Sequence, residues 1–214
     1  MPLSPVDCAS LLGVSRETLA RLEAYVALLR SWNPRINLVS AGSLGDVWRR
    51  HILDSGQLLR HLPTDARVLV DLGSGAGLPG LILAILGVPD VHLVESDRRK
   101  VEFLREAARI TGVTVTLHAE RIERVSPFPA DVVTARALAP VSRLLAWSRP
   151  FLRDASVCLF LKGVDVGDEL TAARGEWIMQ SQILASLSDD KGHILRLEGL
   201  RHAPDRPANR ASRP

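Results

Sequence analysis

Cysteine is nearly absent: Cys8 and Cys158 are the two in 214 residues, and they stand far apart. That excludes a disulfide framework and a thiolate metal site, and it fits a reducing, cytoplasmic setting. Lysine is almost as rare. Lys100, Lys162 and Lys191 are the three, so the net charge of +3 rests almost wholly on arginine. So modest a balance permits a polyanionic partner without requiring one. Long apolar runs are missing too: the longest, Leu78 to Val88, is interrupted and too short to cross a bilayer. The first residues lack a basic start followed by an apolar stretch, so the expectation is a soluble protein with no membrane partner. No His/Cys/carboxylate spacing supports a metal, no nucleophilic serine or cysteine motif occurs, and no internal repeat is visible. A composition of 46% hydrophobic and 24% charged residues supports one sizeable core, with room for a small appendage.

Against these absences stands one dense stretch, residues 67–80, in which Val68-Leu69-Val70 leads into Asp71 and a loop rich in glycine. The apolar run reads as a buried parallel strand, and Gly73, Gly75 and Gly77 free the backbone for positive φ and for close approach by a ligand. A second apolar run, Val91 to Val94, ends in Glu95, where doubly wound folds place a carboxylate that accepts from ribose hydroxyls. Two registers overlap. Gly73-x-Gly75-x-Gly77 follows the methyltransferase pattern, and Gly75-x-Gly77-x-x-Gly80 matches the dinucleotide fingerprint. Asp71 favours the first, because a carboxylate there suits a cationic ligand such as S-adenosylmethionine and would repel a pyrophosphate. A nicotinamide or flavin site and a purely structural glycine turn remain alternatives, with Asp71 in the latter case a cap.

The rest of the chain reads as alternating elements. Ser15 caps a helix with apolar positions Leu19, Leu22, Val26, Leu29 and Trp32, expected to stop at Asn33-Pro34. A second helix is expected from about Asp46 to His61, and residues 1–65 form a helical preface. A methyltransferase-type domain then spans 66–202, with strands 67–72, 91–95, 113–118, 131–135 and 157–161 separated by helices in a βαβαβ pattern. Segments 177–184 and 193–200, joined by Ser188-Asp189-Asp190-Lys191-Gly192, read as an antiparallel finish, uncommon for nicotinamide domains. Residues 203–214, with proline and arginine and no apolar run beyond alanines, are expected to be disordered.

Trp32-Asn33, Asn37-Leu38, Arg50-His51-x-x-Asp54-Ser55, the glycine loop, Glu95-Ser96, Phe103-Leu104, Arg121-x-Glu123, Thr134-Ala135-Arg136-Ala137 and Leu161-Lys162-Gly163 occur in this order. Over residues from about 18 to 200 the chain thereby resembles the glucose-inhibited division protein B family, bacterial small-subunit ribosomal RNA methyltransferases. The resemblance implies a Rossmann-like class I α/β fold, mostly parallel with an antiparallel last strand, plus the helical extension. It also implies S-adenosyl-L-methionine as cofactor, N7 of a guanine in a conserved loop of 16S ribosomal RNA as acceptor, and the RNA or small subunit as partner. Residue by residue, it implies that Gly73 and Leu78 line the cofactor, that Glu95 holds the ribose, that Ile122 and Glu123 flank the adenine, and that Arg136 stands at the methionine end. A monomer is the expectation. A non-catalytic RNA-binding or assembly factor on the same fold is the alternative from another class.

Guanine N7 is an in-plane lone pair, so attack on a sulfonium methyl needs alignment and no general base. His51 and Asp54, three apart, share a helix face and either seat the RNA at the cleft mouth or tether the preface to the sheet. With Arg136 they are the candidates for a role in transfer. Arg50 and Lys162 are candidate RNA contacts, and the cluster opening with Arg98 and Arg99 is either a third contact or a solvated face.

Overall fold

A computed structural model describes residues 1–203; the tail expected to be disordered lies, from residue 204 on, outside the described residues. Seven strands form one sheet in the order β3-β2-β1-β4-β5-β7-β6: β1 Val68–Leu72, β2 Asp90–Val94, β3 Thr116–His118, β4 Val132–Arg136, β5 Val157–Lys162, β6 Trp177–Ala185 and β7 His193–His202. The first five pair in parallel, while β7 runs antiparallel to both β5 and β6. The antiparallel finish therefore holds, and with it the sheet departs from the classic 3-2-1-4-5-6 order of nicotinamide domains.

Helices α4 Gly80–Ile85 and α5 Arg98–Thr111 cross between β1, β2 and β3, and α6 Val141–Ser148 and α7 Val166–Ala173 follow β4 and β5. Each sheet face buries its own apolar cluster. Leu69, Leu93, Leu159 and Leu161 join α4, α5 and the preface, and Val70, Leu72, Val133 and Phe160 join α6 and α7. Such runs of apolar side chains buried on both faces are what a covered parallel sheet requires.

The preface departs from expectation in three ways. An unanticipated helix, α1 Pro5–Leu12, is capped by the Ser4 hydroxyl. Helix α2, Arg16–Ile36, starts at its Ser15 cap as read but runs through Pro34 to an Asn37 cap in the left-handed region. Proline forfeits one N–H and crowds one carbonyl. In the last turn of a long helix that costs little, and just past it the Asn33 amide fixes the exit of the chain, donating to Val39 O and accepting from Val39 N. The expected helix from Asp46 to His61 is instead a chain of short windings: 3-10 turns Ala41–Asp46, a π-wound stretch Trp48–Leu53, one α-turn α3 Asp54–Gly56, and 3-10 turns Gln57–His61. π-winding is rare and concentrates at functional sites, and this stretch carries Arg50 and His51.

Candidate active site

The loop after β1 is shaped by its own backbone. Ser74 N donates to Val94 O, Gly77 N and Leu78 N donate to Ser74 O, and the Ser74 hydroxyl donates to Asp71 O. Gly77 is demanded by packing inside the protein, since a Cβ there would lie 2.6 Å from the Leu81 Cβ, and a Cβ at 73 would have to push aside the end of the Leu138 side chain, 2.6 Å away. Gly75 differs. It holds φ +57°, and a Cβ there would meet nothing nearer than a carbonyl oxygen at 3.8 Å. Of the three, it is the glycine that leaves room for a ligand.

Glu95, at the tip of β2, accepts from Gly75 N at 2.9 Å with one oxygen and from Asp97 N at 2.7 Å with the other. It thus ties the loop to the start of α5. Leu78 is buried beside the loop. After β3, Ile122 is half-buried and Glu123 is exposed, its carboxylate accepting from Trp147 Nε1.

Asp71 requires a correction. Its carboxylate, expected to face a cationic ligand, is wholly buried behind the loop, where it accepts from the Thr134 hydroxyl at 2.8 Å and from Gly80 N at 3.1 Å. It is the cap of α4, and burial pushes its pKa up to about 6 despite those hydrogen bonds and the nearby Arg136. The carboxylate therefore serves the loop's own structure, tying the start of α4 to β4.

A cavity of about 530 Å³ opens at the end of β4. Its walls come from the preface (Leu38, Ser43, Arg50, His51, Asp54), the end of β4 (Arg136, Ala137), the loop after β5 (Leu161 to Asp165) and the β6–β7 turn (Ser188, Asp189, Lys191). No glycine-loop residue lines it. Arg136, the last residue of β4, and Ala137 line the cavity, and the next residue, Leu138, packs where a Cβ on Gly73 would lie. Ala137 holds φ +48°, a conformation that costs a residue with a Cβ about 1 kcal/mol or more.

Arg136 organises the cavity floor. It donates to Asp54 Oδ2 at 3.0 Å, to Arg50 O at 3.1 Å and to His51 Nδ1 at 2.8 Å. A guanidinium can only donate, so His51 Nδ1 accepts and the ring proton sits on Nε2, directed at the Ser43 hydroxyl 2.8 Å away. Burial, then Arg136 and Arg50, lower the His51 pKa to about 3, so the imidazole is neutral. Asp54 Oδ1 accepts from Ser188 Oγ at 2.6 Å.

The sequence-derived candidates thus fall into two groups. Gly73, Gly75, Gly77, Leu78 and Glu95 gather at the ends of β1 and β2, with Asp71 behind them, while Arg50, His51, Asp54 and Arg136 gather at the end of β4. Arg50, half-exposed at the rim, also pairs with Asp189 at 2.6 Å. Lys162 is a second correction: its ammonium, only 10% exposed, is taken up by Glu169 at 2.6 Å and Ala139 O at 3.0 Å, so it fastens the segment after β4 rather than awaiting a phosphate. Arg98 and Arg99 lie on the outer face of α5, where Arg99 pairs with Asp97, Arg105 with Glu102 and Arg109 with Glu106. That is the pattern of a solvated face. Sequence reading missed Ser188 and Asp189, seen only as turn residues, and Thr134 as the partner of Asp71.

Comparison with known proteins agrees with this geometry. The family model GidB, described as rRNA small subunit methyltransferase G, matches residues 18–196. Among curated relatives, ribosomal RNA small subunit methyltransferase G of Rhodospirillum rubrum is 56% identical over 94% of this chain and 100% of its own. Its counterpart in Rhodospirillum centenum is 58% identical over 89% of this chain and 88% of its own. Among solved structures, a TehB-like SAM-dependent methyltransferase from Corynebacterium glutamicum superposes with a TM-score of 0.55 at 14% identity, covering 84% of this chain and 98% of that one; at that identity the likeness speaks for the fold alone. With both the fold and the match in hand, the chain belongs to the GidB family, rRNA small subunit methyltransferase G.

Proposed function

We propose that this chain transfers a methyl group from S-adenosyl-L-methionine to N7 of a guanine in 16S ribosomal RNA, with the RNA or the small ribosomal subunit as its substrate. When bound, S-adenosyl-L-methionine supplies an electrophilic methyl on a sulfonium centre. The crevice suits that group: Gly75 leaves its approach open, Glu95 has carboxylate lone pairs to spare for ribose hydroxyls, and the buried Asp71 carboxylate ties down the start of α4 behind the loop. Ile122 and Glu123, beyond β3, are the residues proposed to flank the adenine. The neighbouring cavity is large enough for an extruded base, and Arg50 at its rim is proposed to meet the RNA backbone.

One observation carries the choice of acceptor atom. Around Arg136 the His51 Nδ1 lone pair is engaged by the guanidinium and Asp54 accepts from Arg136 and Ser188, so these two are occupied in positioning rather than poised as a base, while His193 and Asp165 stand elsewhere on the cavity wall. An amine or hydroxyl acceptor must lose a proton during transfer, which calls for a base near pH 7. Guanine N7 has nothing to lose, so a site that only aligns is sufficient.

The test is incubation of the protein with methyl-labelled S-adenosyl-L-methionine and either small subunits or deproteinised 16S RNA, followed by digestion to nucleosides and chromatography. Label in 7-methylguanosine is the expected result. Label in any other nucleoside, or none with either substrate, overturns the reading.

A further inference from the structure

The chain has a single tyrosine, and it is placed where the preface meets the glycine loop. Tyr25 lies on α2 in step with the apolar stripe, three residues after Leu22 and four before Leu29, and is fully buried. A hydroxyl in such a position needs a partner. It donates to Ala76 O at 2.7 Å. Ala76 stands between Gly75 and Gly77, both at positive φ, and is itself buried.

The peptide that links Ala76 to Gly77 is therefore held at both ends: its carbonyl by Tyr25, and its N–H by Ser74 O at 2.7 Å. A peptide plane next to a glycine at φ +82° can flip at little steric cost, since glycine has no Cβ to oppose it. Ser74 O constrains the plane from within the loop, and the hydroxyl constrains it from outside. The Tyr25 ring is in turn seated edge-on against Phe103 of α5, with centroids 6.1 Å apart, and Phe103 meets Trp32 of α2 in the same way at 5.8 Å. The hydroxyl is thus delivered by a rigid aromatic group.

We propose that Tyr25 is a positioning residue for donor binding, fixing the 76–77 peptide plane so that donor affinity is set from α2 of the preface as well as from the sheet. This rests on the reading that the loop holds S-adenosyl-L-methionine. It gives the preface a part in the donor site distinct from its part in the cavity, where Arg50, His51 and Asp54 serve.

The experiment compares wild type, Tyr25→Phe and Phe103→Leu. Calorimetric titration with S-adenosyl-L-methionine is followed by steady-state transfer to small subunits and by thermal melting. Tyr25→Phe keeps the ring and removes the hydroxyl, leaving Ala76 O without its donor. The donor Kd should rise roughly tenfold, the scale for stranding one buried acceptor, with kcat at saturating donor and KM for subunits within about twofold of wild type. Phe103→Leu keeps the hydroxyl and should lower the melting temperature with little change in donor Kd. An unchanged Kd in Tyr25→Phe overturns the proposal, as does an equal rise in Phe103→Leu, which would mark the effect as general loosening of the core. If wild type itself fails to bind S-adenosyl-L-methionine, the reading of the loop fails instead, and the two failures are told apart in the first titration.

Discussion

The glycine loop and the Arg136 corner lie side by side at the carboxyl edge of one sheet, but they are built in different ways. The loop is held mainly by backbone groups from one short stretch and by the tip of the next strand, with Tyr25 reinforcing it from the preface. The corner is held by side chains from three distant segments: Arg136 at the end of β4, His51 and Asp54 from the preface, and Ser188 from the β6–β7 turn. The contrast suggests a division of labour. On the proposed reading, a cofactor common to many acceptors is met by a local motif, and an acceptor peculiar to this family by residues that only the complete fold brings together.

Removing Arg136 should separate the two regions most sharply. Arg136→Ala leaves Asp54 without its cation and His51 without its donor, so kcat/KM for subunits should fall by about two orders of magnitude, while the donor Kd, measured by calorimetry, shifts less than tenfold. A donor Kd that rises as steeply as transfer falls would move Arg136 into the donor site.

Within the loop the glycines should divide as well. Gly75→Ala places a Cβ at φ +57° over open space, where the strain is about 1–2 kcal/mol, and should weaken donor binding about tenfold. Gly77→Ala drives a Cβ into the Leu81 side chain and should chiefly lower the melting temperature. Identical melting and binding profiles for the two variants would erase the distinction between ligand-facing and packing glycines.

The two regions should also oppose each other in acid. His51 falls to about 3 from 6.5, so as pH drops through 6.5 the unfolded chain gains a proton that the fold refuses, and stability declines. Asp71 rises to about 6 from 3.8, so between those values the fold holds a proton that the unfolded chain has released, and acidification stabilises. Either slope is limited to about 1.4 kcal/mol per pH unit. His61 and His118, lowered by partial burial, add to the sign of His51. Urea unfolding from pH 7 to 4.5 should show His51→Gln less acid-sensitive than wild type and Asp71→Asn more so. Unchanged slopes would refute both assignments.

The same contrast explains how far the sequence could be read. Strand, acid, glycine loop, strand and second acid are consecutive, so β1, β2 and the crevice were visible within a residue or two of their ends. Asp71 was recognised as important but aimed the wrong way, because whether a strand-end carboxylate caps the following helix or faces a ligand depends on Thr134 and Gly80, one of them on another strand. Pro34 was read as a stop because the Asn37 cap and the Asn33–Val39 hydrogen bonds that shape the helix exit lie beyond it and leave no periodic signal. The corner was legible only as loose candidates. Its geometry depends on π-winding at Trp48–Leu53 and on a hairpin turn from the far end of the chain, neither of which leaves a periodic signal. Lys162 looked like a phosphate ligand until its own fold supplied Glu169.

The proposed division between a donor site at the glycine loop and an acceptor site in the cavity is tested most directly by filling the cavity alone. Val164 lines it and is 62% exposed, so Val164→Trp adds bulk without displacing core. Calorimetry and single-turnover transfer on the same preparation should give a donor Kd equal to wild type and transfer reduced more than a hundredfold; transfer at the wild-type rate, or donor binding lost together with it, would contradict the division.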